Sequence, residues 1–126
     1  MKRVLICGGR NYNNKDEFFL KLDKILLDRF WIIAHGDGNW LPYIHIIHGA
    51  AKGADTLADL YAVINWCPFS EFPADWKKHG KKAGVIRNQQ MLDEGKPDLV
   101  VAFPGGRGTA DMVKRAKDAG IEVIQL

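Results

Sequence analysis

Residues 98–120 read DLVVAFPGGRGTADMVKRAKDAG. The apolar run 99–103 is unbroken, and Pro104 ends it. Gly105, Gly106, Gly108 and Thr109 follow at once, and then Met112, Val113, Ala116 and Ala119 recur at helical spacing until Gly120 supplies a stop. A run with no polar alternation is a strand covered on both faces, which belongs to a parallel sheet between helices. So many glycines in one strand-to-helix turn cost backbone entropy. The turn is either merely tight, or its backbone must come close to a ligand.

The same strand, turn and helix pattern repeats along the chain. Short apolar runs at 4–7, 44–47, 69–73, 99–103 and 122–126 read as strands. Helical spacing at 15–29, 55–66 and 109–119, with a weaker pattern at 84–94, fills the intervals. This alternation predicts an α/β, Rossmann-like, doubly wound and mainly parallel five-stranded sheet with helices on both faces. The order 3-2-1-4-5 would make strands one and four neighbours. Residues 30–49 contain two apolar runs around GDGN, and a short extra strand or a loop is expected over 31–41. The chain shows neither an internal repeat nor a low-complexity linker, so one domain over 1–126 is expected.

Composition narrows the class. The 126 residues are 47% hydrophobic and 26% charged, as in globular domains. No apolar run approaches the ~20 residues of a membrane helix. The N-terminal MKRVLICGG reads as a first strand rather than a secretion signal, so a cytoplasmic protein without membrane partners is expected. The net charge of +3 is too mild to argue for nucleic acid. Cys7 and Cys67 lack metal spacing, and with His35 and His45 they give no metal constellation, so no metal is expected. Cys7 reads as a buried free thiol and His48 as a satisfied core histidine.

Three glycine turns end strands on the same edge. Gly8, Gly9 and Arg10 follow the first strand, Gly49, Ala50 and Gly53 the second, and Pro104, Gly105, Gly106, Gly108 and Thr109 the fourth. Helix N-termini attract phosphate, and open α/β sheets bind ligands at their carboxyl edge. Thr109 offers a hydroxyl to a phosphate or caps its helix. No turn matches GxxxxGK[ST] or a clean GxGxxG. Lys77, Lys78, Lys81, Lys82 and Arg87 crowd the stretch 76–87, which reads as a solvated loop or an anion-facing one.

Taken together, CGGRNY, HGAAKGADTLA, PADWKKHGKKAGVIRNQQML and KPDLVVAFPGGRGTADMV resemble the YspA-like family of the SLOG superfamily. That superfamily includes the LOG phosphoribohydrolases and DprA. The resemblance implies a Rossmann-like domain for a nucleotide or nucleotide derivative, often a homodimer. The four Trp and six Phe in a small domain fit a dimer. No cofactor beyond the nucleotide-type ligand is expected.

In the LOG pattern PGGxGTxxE the final glutamate is catalytic. Here Met112 takes its place, while Arg87 is similar in position to the arginine that pairs with it. Asp111 is adjacent but turned about 100° around the helix. Asp75, just past a strand end, is the candidate substitute, to bind ribose hydroxyls or assist a leaving base. Asp55 also faces the ligand edge, with an ordinary N-cap as its plain reading.

Arg10 is a phosphate clamp or a surface arginine. Trp76 stacks on a base, or anchors the core or a dimer interface. Arg87 and Asn88 are read as opening the helix 84–94, where an arginine opposes the helix dipole and so serves a ligand. Binding or sensing of a nucleotide is therefore expected. LOG-like N-glycosidic hydrolysis is the alternative, and DprA-like nucleic-acid binding is a further one.

Overall fold

A computed structural model describes residues 1–30 and 44–126. The strand or loop expected over 31–41 lies outside the described residues.

The apolar runs form β1 (Lys2–Cys7), β2 (Ile44–His48), β3 (Phe69–Glu71), β4 (Leu99–Ala102) and β5 (Glu122–Gln125). They make one sheet in the order β3-β2-β1-β4-β5, with every pairing parallel. β1 is central: Val4 aligns with Ile46 on one side and Leu99 on the other. This is the α/β Rossmann-like architecture that the alternating pattern predicts.

Successive side chains along a strand face opposite ways, so one strand feeds two cores. Val4 and Ile6 join Ile46 and Val101 against α1 (Lys15–Phe30) and α2 (Ala54–Ile64), where Phe18, Leu22 and Tyr61 are fully buried. Phe18 stacks on Phe103 with ring centroids 4.3 Å apart. Leu5 and Cys7 join Ile47 and Val100 against α4 (Ala83–Gly95) and α5 (Arg107–Asp118). Sequence signals fix the start of α1. Asn14 Oδ1 accepts the Glu17 N–H at 3.1 Å while its Nδ2 donates to Glu17 Oε2 at 3.0 Å.

Helix boundaries correct three expectations. The basic stretch is not an irregular loop: α3 (Trp76–His79) and a 3₁₀ turn (Gly80–Lys82) fill it. α4 then begins at Ala83, so Arg87 and Asn88 stand in its second turn and the dipole argument for Arg87 does not apply. Gly53 and Gly106 occupy the N-cap positions of α2 and α5, with no side-chain cap at either. Asp55 and Thr109 therefore lie within the first turns and are not caps.

Candidate functional site

Gly9 joins the three glycine turns. Its N–H donates to the Pro104 carbonyl at 2.8 Å, and its own carbonyl accepts the Ala54 and Tyr12 N–H groups at 3.2 Å. Close approach explains the glycines around it. Gly53 has a left-handed φ of 81°, and a Cβ there would strike the Gly9 carbonyl. A Cβ on Gly8 would meet Ala54 Cβ at 2.6 Å, and one on Gly105 would meet Gly9 N at 2.7 Å. These three glycines let the turns interlock.

A cavity of about 520 Å³ opens above this junction, at the carboxyl edge. The first turn gives it Gly8, Gly9 and Arg10. The second gives Ala51 and Asp55, and α5 gives Gly106, Arg107, Gly108 and Thr109. From the α3–α4 side come Trp76, Lys81, Arg87 and Asn88. Gly49, Ala50, Gly53, Pro104 and Gly105 are not among its lining residues.

The two helix-opening turns differ in what they present. In the second turn every amide from Gly49 to Ala51 is used internally. Asp55 Oδ2 accepts Gly49 N–H at 3.1 Å and Ala51 N–H at 3.2 Å, and His48 Nδ1 accepts Ala50 N–H at 3.0 Å. The turn offers no amide from these three residues to a phosphate. The N–H groups of Arg107, Gly108 and Thr109 at the start of α5 have no intrahelical partner and none from elsewhere among the described residues. They face the cavity together with Thr109.

His48 is 2% exposed and has a fixed tautomer. Because Nδ1 accepts, the proton sits on Nε2, which donates to Asp59 Oδ1 at 3.2 Å. This pair holds Ala50 at a φ of 57°, left-handed for a non-glycine residue. His48, Asp59 and Glu71 bring ligand-type atoms within 4.8 Å of one another. Sequence spacing hides that group because its members come from three elements. With its proton on Nε2, His48 has no lone pair there for a cation.

Arg87 is held by carbonyls. Its Nη1 donates to Gly49 O, and to Phe72 O at 3.4 Å, and its Nε donates to Asn88 Oδ1 at 3.2 Å. Burial pushes its pKa down, which the Asp55 charge opposes and the Arg10 charge reinforces. Asn88 is buried, and its Nδ2 donates to Gly108 O at 3.1 Å and Asp111 Oδ2 at 3.0 Å. Its amide thus ties α4 to the start of α5. Asp111 also accepts from Arg115 Nε at 2.8 Å. Asp55 is 7% exposed, and burial raises its pKa against the pull of its amide donors and of the Arg87 charge.

Arg10 and Trp76 form one edge of the cavity, with the guanidinium 5.7 Å from the ring centroid. Trp76 is 49% exposed and is not a core anchor. Asp75 is exposed, caps α3 by accepting the Lys78 N–H at 3.1 Å, and is absent from the cavity wall. Met112 is fully buried against Leu5, Cys7 and Ala102, facing the sheet. Cys7 is also buried, with its thiol pushed up to about 12 by burial first and the Asp55 charge second. Sequence reasoning passed over Lys81 and Arg107 individually. Each is a cation that lines the cavity and has no carboxylate partner among the described residues.

A family model described as "YspA, cpYpsA-related SLOG family" matches residues 2–79, more than half of the chain. The chain belongs to this family. The match covers the first two glycine turns and α3, while the α5 turn lies beyond it. The chain is 37% identical over 132 residues to the "Gene 61 protein" of Mycobacterium phage D29, covering 98% of this chain and 95% of that protein. It is also similar in fold to the X-ray structure of DNA processing protein A (DprA) from Streptococcus pneumoniae. There the TM-score is 0.66 at 19% identity, over 99% of this chain and 50% of the DprA chain. This SLOG chain spans half the length of that structure, and at such identity the likeness concerns fold alone. No helix among the described residues is long and apolar enough to cross a membrane.

Proposed function

We propose that this protein binds a nucleotide or nucleotide-derived phosphate in the cavity at the carboxyl edge, with the phosphate against the first turn of α5. One observation carries the reading. The free amides of residues 106–109 open into the same cavity as Arg10, Lys81 and Arg107, three cations without a carboxylate partner among the described residues. A helix N-terminus flanked by arginine is a phosphate site in both charge and hydrogen-bond geometry. The half-exposed Trp76 beside it offers a flat apolar face for a base. Family membership agrees with a nucleotide-type ligand without naming one.

Titration of nucleoside phosphates by calorimetry tests the reading on wild type and Gly106→Val. A Cβ on Gly106 meets nothing within 4 Å, so the variant folds, and its side chain obstructs the amides. Equal affinity in the two proteins refutes the placement.

Hydrolysis of an N-glycosidic bond is the second reading, favoured by the Asp55 carboxylate and the Arg87 guanidinium on one cavity wall. An oxocarbenium-like state needs a carboxylate placed against the anomeric carbon; Met112 supplies none, and Asp55 has one carboxylate oxygen tied to two loop amides. Binding is expected to exceed turnover, and base release from nucleoside monophosphates followed by chromatography measures this. The homodimer implied by the resemblance finds support in the exposed apolar residues Val63, Ile64, Trp66 and Phe69. Sedimentation at micromolar concentration tests it.

A further inference from the structure

We propose that Asp55 and Arg87 together read a sugar hydroxyl, so that the site selects phosphate esters of a sugar with free vicinal hydroxyls over their deoxy counterparts. The inference rests on the nucleotide reading above and adds an orientation and a specificity to it.

The argument is an account of donors and acceptors. Asp55 is more than nine-tenths buried and lines the cavity. Its Oδ2 is spent on the Gly49 and Ala51 amides. Its Oδ1 has no hydrogen-bond partner among the described residues, yet it is not among the buried orphan atoms, so it reaches the cavity. Arg87 is in the same state. Nε and Nη1 are committed to Asn88, Gly49 and Phe72, while Nη2 carries two N–H groups and has no partner among the described residues.

The two side chains converge on Gly49 and line the same cavity. A methyl on Gly49 would meet Arg87 Cζ at 2.8 Å and Asp55 Oδ2 at 3.0 Å. They still do not form an ion pair within 4.0 Å, which leaves room for a bridging oxygen.

A free acceptor beside a free donor matches a group that both donates and accepts. A hydroxyl does so, and vicinal hydroxyls can occupy both partners at once. An ammonium would meet the Arg87 charge, and a phosphate would meet the Asp55 carboxylate. A base edge that sets an amine beside a ring nitrogen would also fill both, and the dideoxy comparison below separates that case from a hydroxyl. The anionic end of the ligand is thereby directed to α5 and Arg107, and its hydroxyl-bearing end to the second turn. A ligand that covers both groups without supplying the hydroxyl leaves them unsatisfied, which is how such sites reject analogues.

The test compares the four ribonucleoside 5′-monophosphates with their 2′,3′-dideoxy counterparts by calorimetry, on wild type and Asp55→Asn. The expected result is at least about tenfold weaker binding of the dideoxy form to wild type. In Asp55→Asn the ratio should fall to about threefold or less. The asparagine carbonyl can still accept from the loop amides, while its amino group replaces the free acceptor. Binding of both forms to wild type with equal affinity overturns the inference and leaves the nucleotide reading standing. Full discrimination in a folded Asp55→Asn also overturns it. Absence of binding by every nucleotide overturns both. Should Asp55→Asn fail to fold, Arg87→Lys replaces it, and the wild-type comparison is decisive by itself.

Discussion

The Gly9 N–H donates to the Pro104 carbonyl at 2.8 Å, across a boundary that separates the first glycine turn from the last by most of the chain. This contact leaves no volume for a side chain. A Cβ on Gly9 would meet Pro104 O at 2.9 Å and Gly105 Cα at 3.1 Å, both backbone atoms. Gly9→Ala is therefore expected to lower stability by about 1–3 kcal/mol through overpacking. Gly106→Ala, which meets nothing within 4 Å, should stay within about 0.5 kcal/mol of wild type. Urea unfolding of the two variants side by side checks this.

Placing the LOG-pattern glutamate at position 112 should not create a hydrolase. Met112 is fully buried among Leu5, Cys7 and Ala102. Met112→Glu would place a carboxylate in that core and cost about 3–5 kcal/mol. Thermal melting reads the loss. Base release from nucleoside monophosphates should remain at the wild-type level, because the new side chain faces the sheet.

Trp76 stands half in solvent, so its value lies in the ligand rather than the fold. Trp76→Ala is expected to weaken nucleotide binding by about 1–3 kcal/mol, the usual contribution of base stacking on an aromatic ring. Its melting temperature should hardly move. A variant that binds as wild type would place the base elsewhere in the cavity.

The Cys7 thiol gives a pH dependence with a definite sign. Its folded pKa is raised to about 12 from 9.0. Between those values the unfolded chain loses the proton and the folded chain keeps it. Stability is thus complete below pH 9 and falls as pH rises toward 12, by about 1.4 kcal/mol per unit for this one group. Cys7→Ala should remove that share of the alkaline decline, measured as the difference between the two proteins in urea titrations from pH 8 to 10.5.

The sheet was legible because its strands are buried on both faces. Runs such as VLIC and LVVAF carry no polar alternation, and that pattern also implies the parallel order found. The helix starts were less so. Gly53 and Gly106 cap α2 and α5 without side-chain hydrogen bonds, so the usual capping residues, Asp55 and Thr109, pointed two and three positions too late. The turn at 49–51 misled for a different reason. Its glycine and small residues resemble a phosphate cradle, but the direction of its amides is set by His48 and Asp55, which no local pattern reveals. Lys81 and Arg107 were visible only as members of a basic stretch and a glycine turn. Their convergence on one cavity depends on α3 and the 3₁₀ turn folding the chain back over the sheet edge.

Placing β1 between β2 and β4 has a consequence for synthesis. The Arg3 N–H donates to Asp98 Oδ2 at 2.8 Å, a partner 95 residues later in the chain. At translation rates of roughly 5–20 residues per second, β1 waits about 5–20 s for β4 to be made. During that interval one edge of an apolar strand, KRVLIC, stays unpaired, and so does the Gly9 N–H. The nascent chain is then most open to mispairing, and no fragment ending before residue 99 can close the phosphate site.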